Sequence, residues 1–556
     1  MNADPITLEV IRNGLTAAAE EMNANLIRAA YSPNIKERRD CSCALFGHEG
    51  TMVTQAENIP VHLGAMPFSV AAALETFSID DLSDGDTLLL NDPFHGGAHL
   101  PDFTLITPIF TDDYLLGFAA NRAHHADVGG TRAGSIAAES SEIYEEGVRI
   151  PPVRLYADGA VVSDVLSIIL ANTRDPEERR GDLRAQQAAN ETGRRRVIEL
   201  VEKHGYDTLM ESTRAVTAYS ERRMRREIET IPNGTYGFED VIEDDGRGNN
   251  ELPICARIHV EDDSITIDFS GSADQTEGAV NAVRAVTVSA AYYAIRCLTD
   301  PDIPPNAGCY RPISVNAPAG SIVNAEPPAA VVGGNLETSQ RIVDVIFGAF
   351  AETAPERTIA ASQGTMNNVT FGGIDQDRGG EFAFYETQAG GLGARAGADG
   401  LDAVQIHMTN TMNTPIEVIE SSYPLRVTRY ELRPDTGGAG KYRGGLGLRR
   451  DIEVTNDDIT CSLLSERRRT APYGIAGGTA GAPGIDYLKT GKTFERVSAK
   501  STHSLESGDI VSIRTPGGGG YGDPAKRNPT AIVSDILDGK LTEKVAHDQY
   551  DFDPEE

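Results

Sequence analysis

Four of the eleven histidines fall close together, at His95, His99, His124 and His125. They lie in two short runs. The first is Asn91-Asp92-Pro93-Phe94-His95-Gly96-Gly97-Ala98-His99-Leu100-Pro101-Asp102. The second is Asn121-Arg122-Ala123-His124-His125-Ala126-Asp127. Two imidazoles and a carboxylate, with positions left for water or substrate, are the ligand set of catalytic zinc, manganese or iron sites. Such an ion lowers the pKa of a bound water to about 7 and polarises a carbonyl oxygen. The two runs must therefore be brought together by the elements between them. Residues 103–110 and 114–120 read as the strands of a hairpin joined at Thr111-Asp112-Asp113. With the turn centred on Asp112, Asp102 is expected to face about Arg122, and His99 to face about His125 with His124 one step away. Facing residues lie roughly 5 Å apart. His99, Asp102 and one of His124 or His125 thus converge as a metal site, with His95 and Asp127 as candidate orienting partners.

No other motif carries chemistry as directly. Gly437-Gly438-Ala439-Gly440-Lys441-Tyr442 fails as a phosphate loop, because Asp435 and Tyr442 stand where Gly and Ser or Thr are needed. Gly517-Gly518-Gly519-Gly520 reads either as a turn or as a cradle for an anion. Glu466-Arg467-Arg468-Arg469 reads either as an anion site or as a salt-bridge network. There is no GxSxG elbow. Cys41, Cys43, Cys255, Cys297, Cys309 and Cys461 form no CxxC pair, which argues against a zinc ribbon. The remaining histidines, His62 among them, are isolated and read as structural.

The elements that carry these residues belong to a chain of 556 residues with 83 acidic and 50 basic side chains, a net charge of −33. That charge repels phosphate backbones and excludes nucleic acid as a partner. Only 9 of the 50 basic residues are Lys, and an acidic, Lys-poor surface points to a salt-loving host. No membrane span or secretory signal is read, so the expected compartment is the cytoplasm. Helical spacing marks residues 5–30, and a helical hairpin occupies 176–203 and 208–231, broken at His204-Gly205-Tyr206. Short strands follow at 236–242, 254–260 and 264–269, then helices near 281–298 and 339–351. From 425 onward the chain is rich in glycine clusters and short strands. The expected fold is a multi-domain α+β chain: 1–231 with the metal site and the helical hairpin, 232–424 mixed, and 425–556 β-rich.

The chain resembles the hydantoinase B/oxoprolinase family almost from end to end. The resemblance rests on Asp4-Pro5-Ile6-Thr7, Arg38-Arg39-Asp40-Cys41-Ser42 and Ile59-Pro60-Val61-His62-Leu63-Gly64. It continues through both histidine runs, Gly364-Thr365-Met366-Asn367-Asn368 and Asn413-Thr414-Pro415-Ile416-Glu417. It closes with Tyr442-Arg443-Gly444-Gly445-Leu446-Gly447 and residues 516–524. The resemblance implies the B-type (beta) component of an ATP-dependent hydantoinase or 5-oxoprolinase. Such a component opens a cyclic amide in a hetero-oligomer with an A-type ATPase subunit that holds ATP and Mg. It also implies a divalent metal on His99, Asp102 and His124. His125 is then left as general base, with Asp127 beside it. The alternatives are an alpha-type subunit of an acetone or acetophenone carboxylase, and a non-catalytic scaffold for the A-type partner. The sequence departs from the family pattern at Asn58, where His is usual, and at Arg132-Ala133-Gly134-Ser135, which lacks a Pro.

Overall fold

Asp4 starts the first helix: its carboxylate accepts from the amides of Ile6 (3.2 Å) and Thr7 (3.1 Å), and Pro5 occupies the first helical position. Helix α1, Pro5–Ala29, buries Ile11, Leu15, Ala18, Met22 and Leu26, the stripe its 3–4 spacing predicts. The computed structural model describes residues 4–56, 58–111 and 114–553; the expected turn residues Asp112 and Asp113 lie outside the described residues.

Strands β1 (Cys41–Gly47), β2 (Met52–Gln55), β3 (Thr87–Leu90), β4 (Asp102–Phe110), β5 (Leu115–His124), β6 (Val153–Ala157) and β7 (Ala160–Val161) form a seven-stranded sheet in the order β2-β1-β5-β4-β3-β6-β7. Alternation along β5 assigns its two faces. Arg122 reaches Ser69 (2.7 Å) on helix α2, Pro60–Thr76, whereas Asn121 reaches Asn190 (2.7 Å) on helix α3, Pro176–His204. Helix α3 is polar on its buried side. Gln186 Nε2 donates to the Phe103 carbonyl (2.9 Å), and Asn190 Nδ2 donates to that of Leu105 (3.2 Å), so the helix docks on the sheet by amide bonds. Gly193 lets it approach α1, because a Cβ there would lie 2.3 Å from the Met22 sulfur. Gly205, at φ +84°, ends α3, and helix α4, Tyr206–Ile228, completes the expected helical hairpin.

The middle of the chain holds a second sheet of β8 (Gly234–Asp244), β9 (Asn250–Glu261), β10 (Ser264–Asp268) and β11 (Ile313–Asn316), in the order β11-β10-β9-β8. Helix α5, Arg284–Leu298, and the wholly buried α6, Ser339–Phe350, pack beside it. A π-helical turn, Gly334–Thr338, leads into α6. A third sheet joins β12 (Asn368–Ile374) and β13 (Glu381–Thr387) to two later strands, Ile459–Leu464 and Lys500–Leu505. Pairing therefore crosses residue 425, where the sequence suggests a division. A five-stranded sheet lies nearby. One hydrophobic cluster runs from Ala44 to Leu464. The mixed α+β, multi-sheet character expected from the sequence is what the chain adopts.

The glycine runs are neither a turn nor an anion cradle. The amides of Gly517 and Gly520 donate to the carbonyls of Ala482 (3.0 Å) and Thr479 (2.9 Å). Gly518 donates to Gly445 (2.9 Å) and Gly519 to Ala361 (2.8 Å). Amides three residues apart thus reach one neighbouring segment, and the two between them reach two others. This is the threefold pattern of extended polyproline-II-type chains bonded side by side. A Cβ on Gly517, Gly518, Gly519 or Gly520 would lie within 2.2 Å of a neighbouring carbonyl oxygen. All four amides are bonded to backbone and none remains for an anion. The arginine cluster is likewise structural. Arg467 pairs with Asp240 (2.6 Å) and Asp344 (2.8 Å), and Arg468 with Asp486 (2.8 Å). Glu466 pairs with Lys500.

Candidate metal centre

Backbone chemistry builds the segment that carries His99. Asn91 Nδ2 donates to the carbonyls of Leu100 (2.7 Å) and Val148 (2.9 Å), and its Oδ1 accepts from the Ile150 amide (2.7 Å). The Gly97 amide donates to the Asp92 carbonyl (2.8 Å), and a Cβ at Gly97 would lie 2.3 Å from the Asn91 carbonyl oxygen. Glycine is required by that close approach. The Asp102 amide then donates to the His99 carbonyl (3.1 Å), which closes a turn directly before β4.

Across the hairpin, Asp102 faces His124 and Thr104 faces Arg122. The pairing of Asp102 with about Arg122 expected from the sequence is thus displaced. One residue of the shift is already present at Phe110, which faces Leu115, and the second comes from an irregularity between Ile109 and Phe110, where β5 carries one extra residue. Neighbouring strand residues point to opposite faces, and the register decides which of the two adjacent imidazoles joins Asp102. His124 shares a face with Asp102, whereas His125 points to the α3 face. There its Nε2 lies 2.9 Å from Gln186 Oε1 and its ring 4.5 Å from that of Phe103.

His99 Nδ1 lies 3.1 Å from Asp102 Oδ2, and His124 Nδ1 lies 3.5 Å from Asp102 Oδ1. Among the described residues, these three are the group whose ligand atoms fall within 4.8 Å of one another. All three side chains are buried. His99 Nδ1, His124 Nε2 and both Asp102 oxygens have no hydrogen-bond partner in the chain. Buried lone pairs without donors are costly unless a cation meets them. Two imidazoles and a carboxylate at this spacing fit a divalent ion with bonds of about 2.1 Å. His95, by contrast, turns outward to Asp92 (2.8 Å).

A third imidazole, which the sequence leaves as structural, belongs to the site. His62, in the first turn of α2, places Nε2 3.5 Å from Asp102 Oδ2 while its Nδ1 meets Ser42 Oγ at 2.9 Å. Around this cluster, Asn335 of the π-helical turn approaches His99 Nε2 (3.4 Å), and the Tyr385 ring stacks on His124 with centroids 4.9 Å apart. The Tyr385 hydroxyl donates to Asn368 (3.0 Å), whose amide donates to Glu337 (2.7 Å). The Arg38 guanidinium also lies over the Tyr385 ring, 4.9 Å from its centroid.

Burial is the largest influence on Asp102, His124, His125 and Glu337. It would raise Asp102, but the charges of His99 and His62 and the approach of His124 and His62 to its oxygens outweigh it, holding the carboxyl well below its ordinary range. Burial lowers His124, which favours the neutral form that ligates metal. It takes His125 down to about 4, helped by the neighbouring Arg179 charge. It pushes Glu337 up to about 7.

Asp127, read from the sequence as a partner of the site, accepts from the amides of Gly129 (2.9 Å) and Gly134 (2.9 Å) and pairs with Arg174 (2.9 Å). It organises its own loop. Asn58, where the sequence lacks an expected His, donates to the carbonyls of Arg39 (2.8 Å) and Cys41 (2.7 Å) and anchors the approach to β1.

Comparison with known proteins agrees with this architecture. An uncharacterized protein of Methanocaldococcus jannaschii is 44% identical over 98% of this chain and 96% of its own length. A protein named 5-oxoprolinase 1, from Arabidopsis thaliana, is 38% identical over 94% of this chain, which spans only 42% of that longer protein. A protein of a Pseudomonas species, named as the putative B-type component of a D-/L-hydantoinase, is 33% identical over 98% of this chain and 95% of its own. The crystal structure of an ATP-dependent caprolactamase from Pseudomonas jessenii superposes with a TM-score of 0.93 at 29% identity, over 100% of this chain and 98% of that one. Acetone carboxylase shares the fold alone, with a TM-score of 0.92 at 20% identity, over 98% of this chain and 79% of that one. The hydantoinase B/oxoprolinase model matches residues 4–524, and the chain belongs to that family.

Proposed function

We propose that this chain is the metal-holding component of an ATP-dependent hydrolase that opens a small cyclic amide, working with an A-type partner that holds ATP and Mg. The observation that carries the reading is the convergence of His99, Asp102 and His124, with buried lone pairs that no donor in the chain meets. Those three residues would hold one divalent ion, which supplies Lewis acidity toward a carbonyl oxygen and a water of lowered pKa. The names of relatives support the substrate class: a 5-oxoprolinase and one component of a hydantoinase. That the hydantoinase relative is named as one component of a larger enzyme supports a separate partner.

The chain's own residues divide the remaining work. Asp102 sits between the two imidazoles, one oxygen toward each. Tyr385 fixes the plane of His124. His62, rather than His125, is placed to carry a proton to or from the reacting group. Its Nε2 lies beside Asp102, whereas His125 faces α3 on the far side of the sheet.

The test is metal analysis and turnover by the purified chain, alone and with an A-type partner and ATP, on a panel of cyclic amides. One equivalent of metal, lost in His99→Ala and His124→Ala, and ring opening that requires partner and ATP are expected. Ring opening by the isolated chain, or full metal content in both variants, would overturn the proposal.

A further inference from the structure

A cavity of about 820 Å³ has His62 and Ser42 in its wall, so it reaches the Asp102 cluster from one side. Three arginines from separate parts of the chain line it: Arg296 on α5, Arg357 after α6, and Arg395. Arg296 is held by the carbonyls of Ile303 (3.0 Å) and Pro301 (3.4 Å), and Arg357 by Thr230 Oγ1 (2.8 Å). The carboxylate in the lining is Asp399, and both its oxygens are already engaged by Arg527, each at 2.8 Å. The cavity thus holds an excess of positive charge in a chain whose net charge is −33. Tyr293, Phe347 and Leu392 give it an apolar stretch of wall, and Gln55, Asn58 and Asn410 add neutral polar groups. Its volume is that of a small-molecule site.

We infer that this cavity binds a small organic oxyanion. The apolar wall takes the body of the molecule, the guanidiniums take a carboxylate or phosphoryl group, and the opposite end faces His62. Arginine suits either anion through paired N–H donors. The inference deepens the proposed function and rests on it for the reacting ring. The oxyanion has two possible sources: a carboxylate carried by the cyclic amide itself, or a phosphoryl group placed on the amide oxygen by the partner. A cation-lined wall leading to His62 serves both, because it draws in the charged molecule and leaves its uncharged end toward the metal ligands.

The test is calorimetric titration of the full-length chain, without partner or ATP, with three probes: a cyclic amide bearing a ring carboxylate, its uncharged parent lactam, and inorganic phosphate. The charged ring or phosphate is expected to bind at least about tenfold more tightly than the parent lactam. Arg357→Gln and Arg395→Gln should each weaken anion binding by about tenfold while leaving the melting temperature and lactam binding unchanged. Selective binding of the carboxylated ring assigns the oxyanion to the substrate; phosphate binding that competes with it assigns the site to a phosphoryl group. Equal binding of charged and uncharged rings, no binding of any probe, or anion affinity untouched by both variants would overturn the inference. The titration reads binding and no turnover, so failure of the ATP-coupled assay would count against the proposed function without altering this result.

Discussion

At the scale of single residues, His62 separates holding a metal from using it. It touches Asp102 but is not one of the three converging residues. His62→Ala is therefore expected to retain metal and fold while ATP-coupled turnover falls by about 10²–10⁴-fold, the usual worth of a positioned proton carrier. Loss of metal in this variant would instead make His62 a ligand. A second buried group reports on stability. Glu146 Oε1 accepts from the amides of Val331 (2.8 Å) and Val332 (3.0 Å), its other oxygen has no partner, and burial pushes its pKa up to about 8 from an ordinary 4.5. The folded state thus keeps a proton that the unfolded state gives up between about pH 4.5 and pH 8. The carboxyl's contribution to stability is full below that window and lost as pH rises through it. Glu146→Gln keeps an acceptor for both amides and stays neutral. Its melting temperature should match the parent at low pH and exceed it above about pH 8, as read from melts across pH; identical profiles would mean that Glu146 is ionised in the fold.

At the scale of elements, the loop before β4 and the β4–β5 hairpin decide the geometry. Gly97→Ala places a methyl 2.3 Å from the Asn91 carbonyl oxygen, so the backbone ahead of His99 must move. We expect metal affinity to drop, with a stability cost of about 1–3 kcal/mol, measured by metal titration and denaturant unfolding. Unchanged metal binding would show that the loop has slack. The hairpin, the helical pair and the approach of His99 to Asp102 are legible in the sequence because they depend on local periodicity and a short loop. The register is not, since one extra residue in β5 changes the pairing without changing composition, and turn counting alone leaves His124 and His125 undivided. Arg122 therefore pairs with Thr104, two positions from where simple turn counting puts it, and the extra residue accounts for one of the two. His62 escapes a reading of the sequence because its partner, Asp102, lies forty residues on and is reached only when α2 packs against β5. Its place in the run Ile59-Pro60-Val61-His62 is the one available signal. The β12–β13 pair meets strands from beyond residue 425, a long-range choice that no window of sequence displays.

At the scale of the whole molecule, charge and glycine set the behaviour. With a net charge of −33, self-repulsion should weaken the fold at low ionic strength. Melting temperature is expected to climb from about 0.01 M to about 1 M KCl, as the Debye length shrinks from roughly 30 Å to 3 Å. A flat profile would show that the acidic surface does not limit stability. The buried pairs of Arg467 and Arg468 should not share this dependence, because salt does not screen them. The glycine bundle bears on how the chain is made. Its central strand, Gly517-Gly518-Gly519-Gly520, is bonded to segments at Ala361, Gly445 and Thr479 that all precede it. It brings no side chains with which to hold those segments in place beforehand. During synthesis they emerge as extended backbone whose carbonyls must wait on water until the last strand leaves the ribosome. Vectorial translation therefore makes residues 517–520 the closing stitch of the glycine bundle, and the bundle of a nascent chain stalled before them should remain open to protease however long it is given.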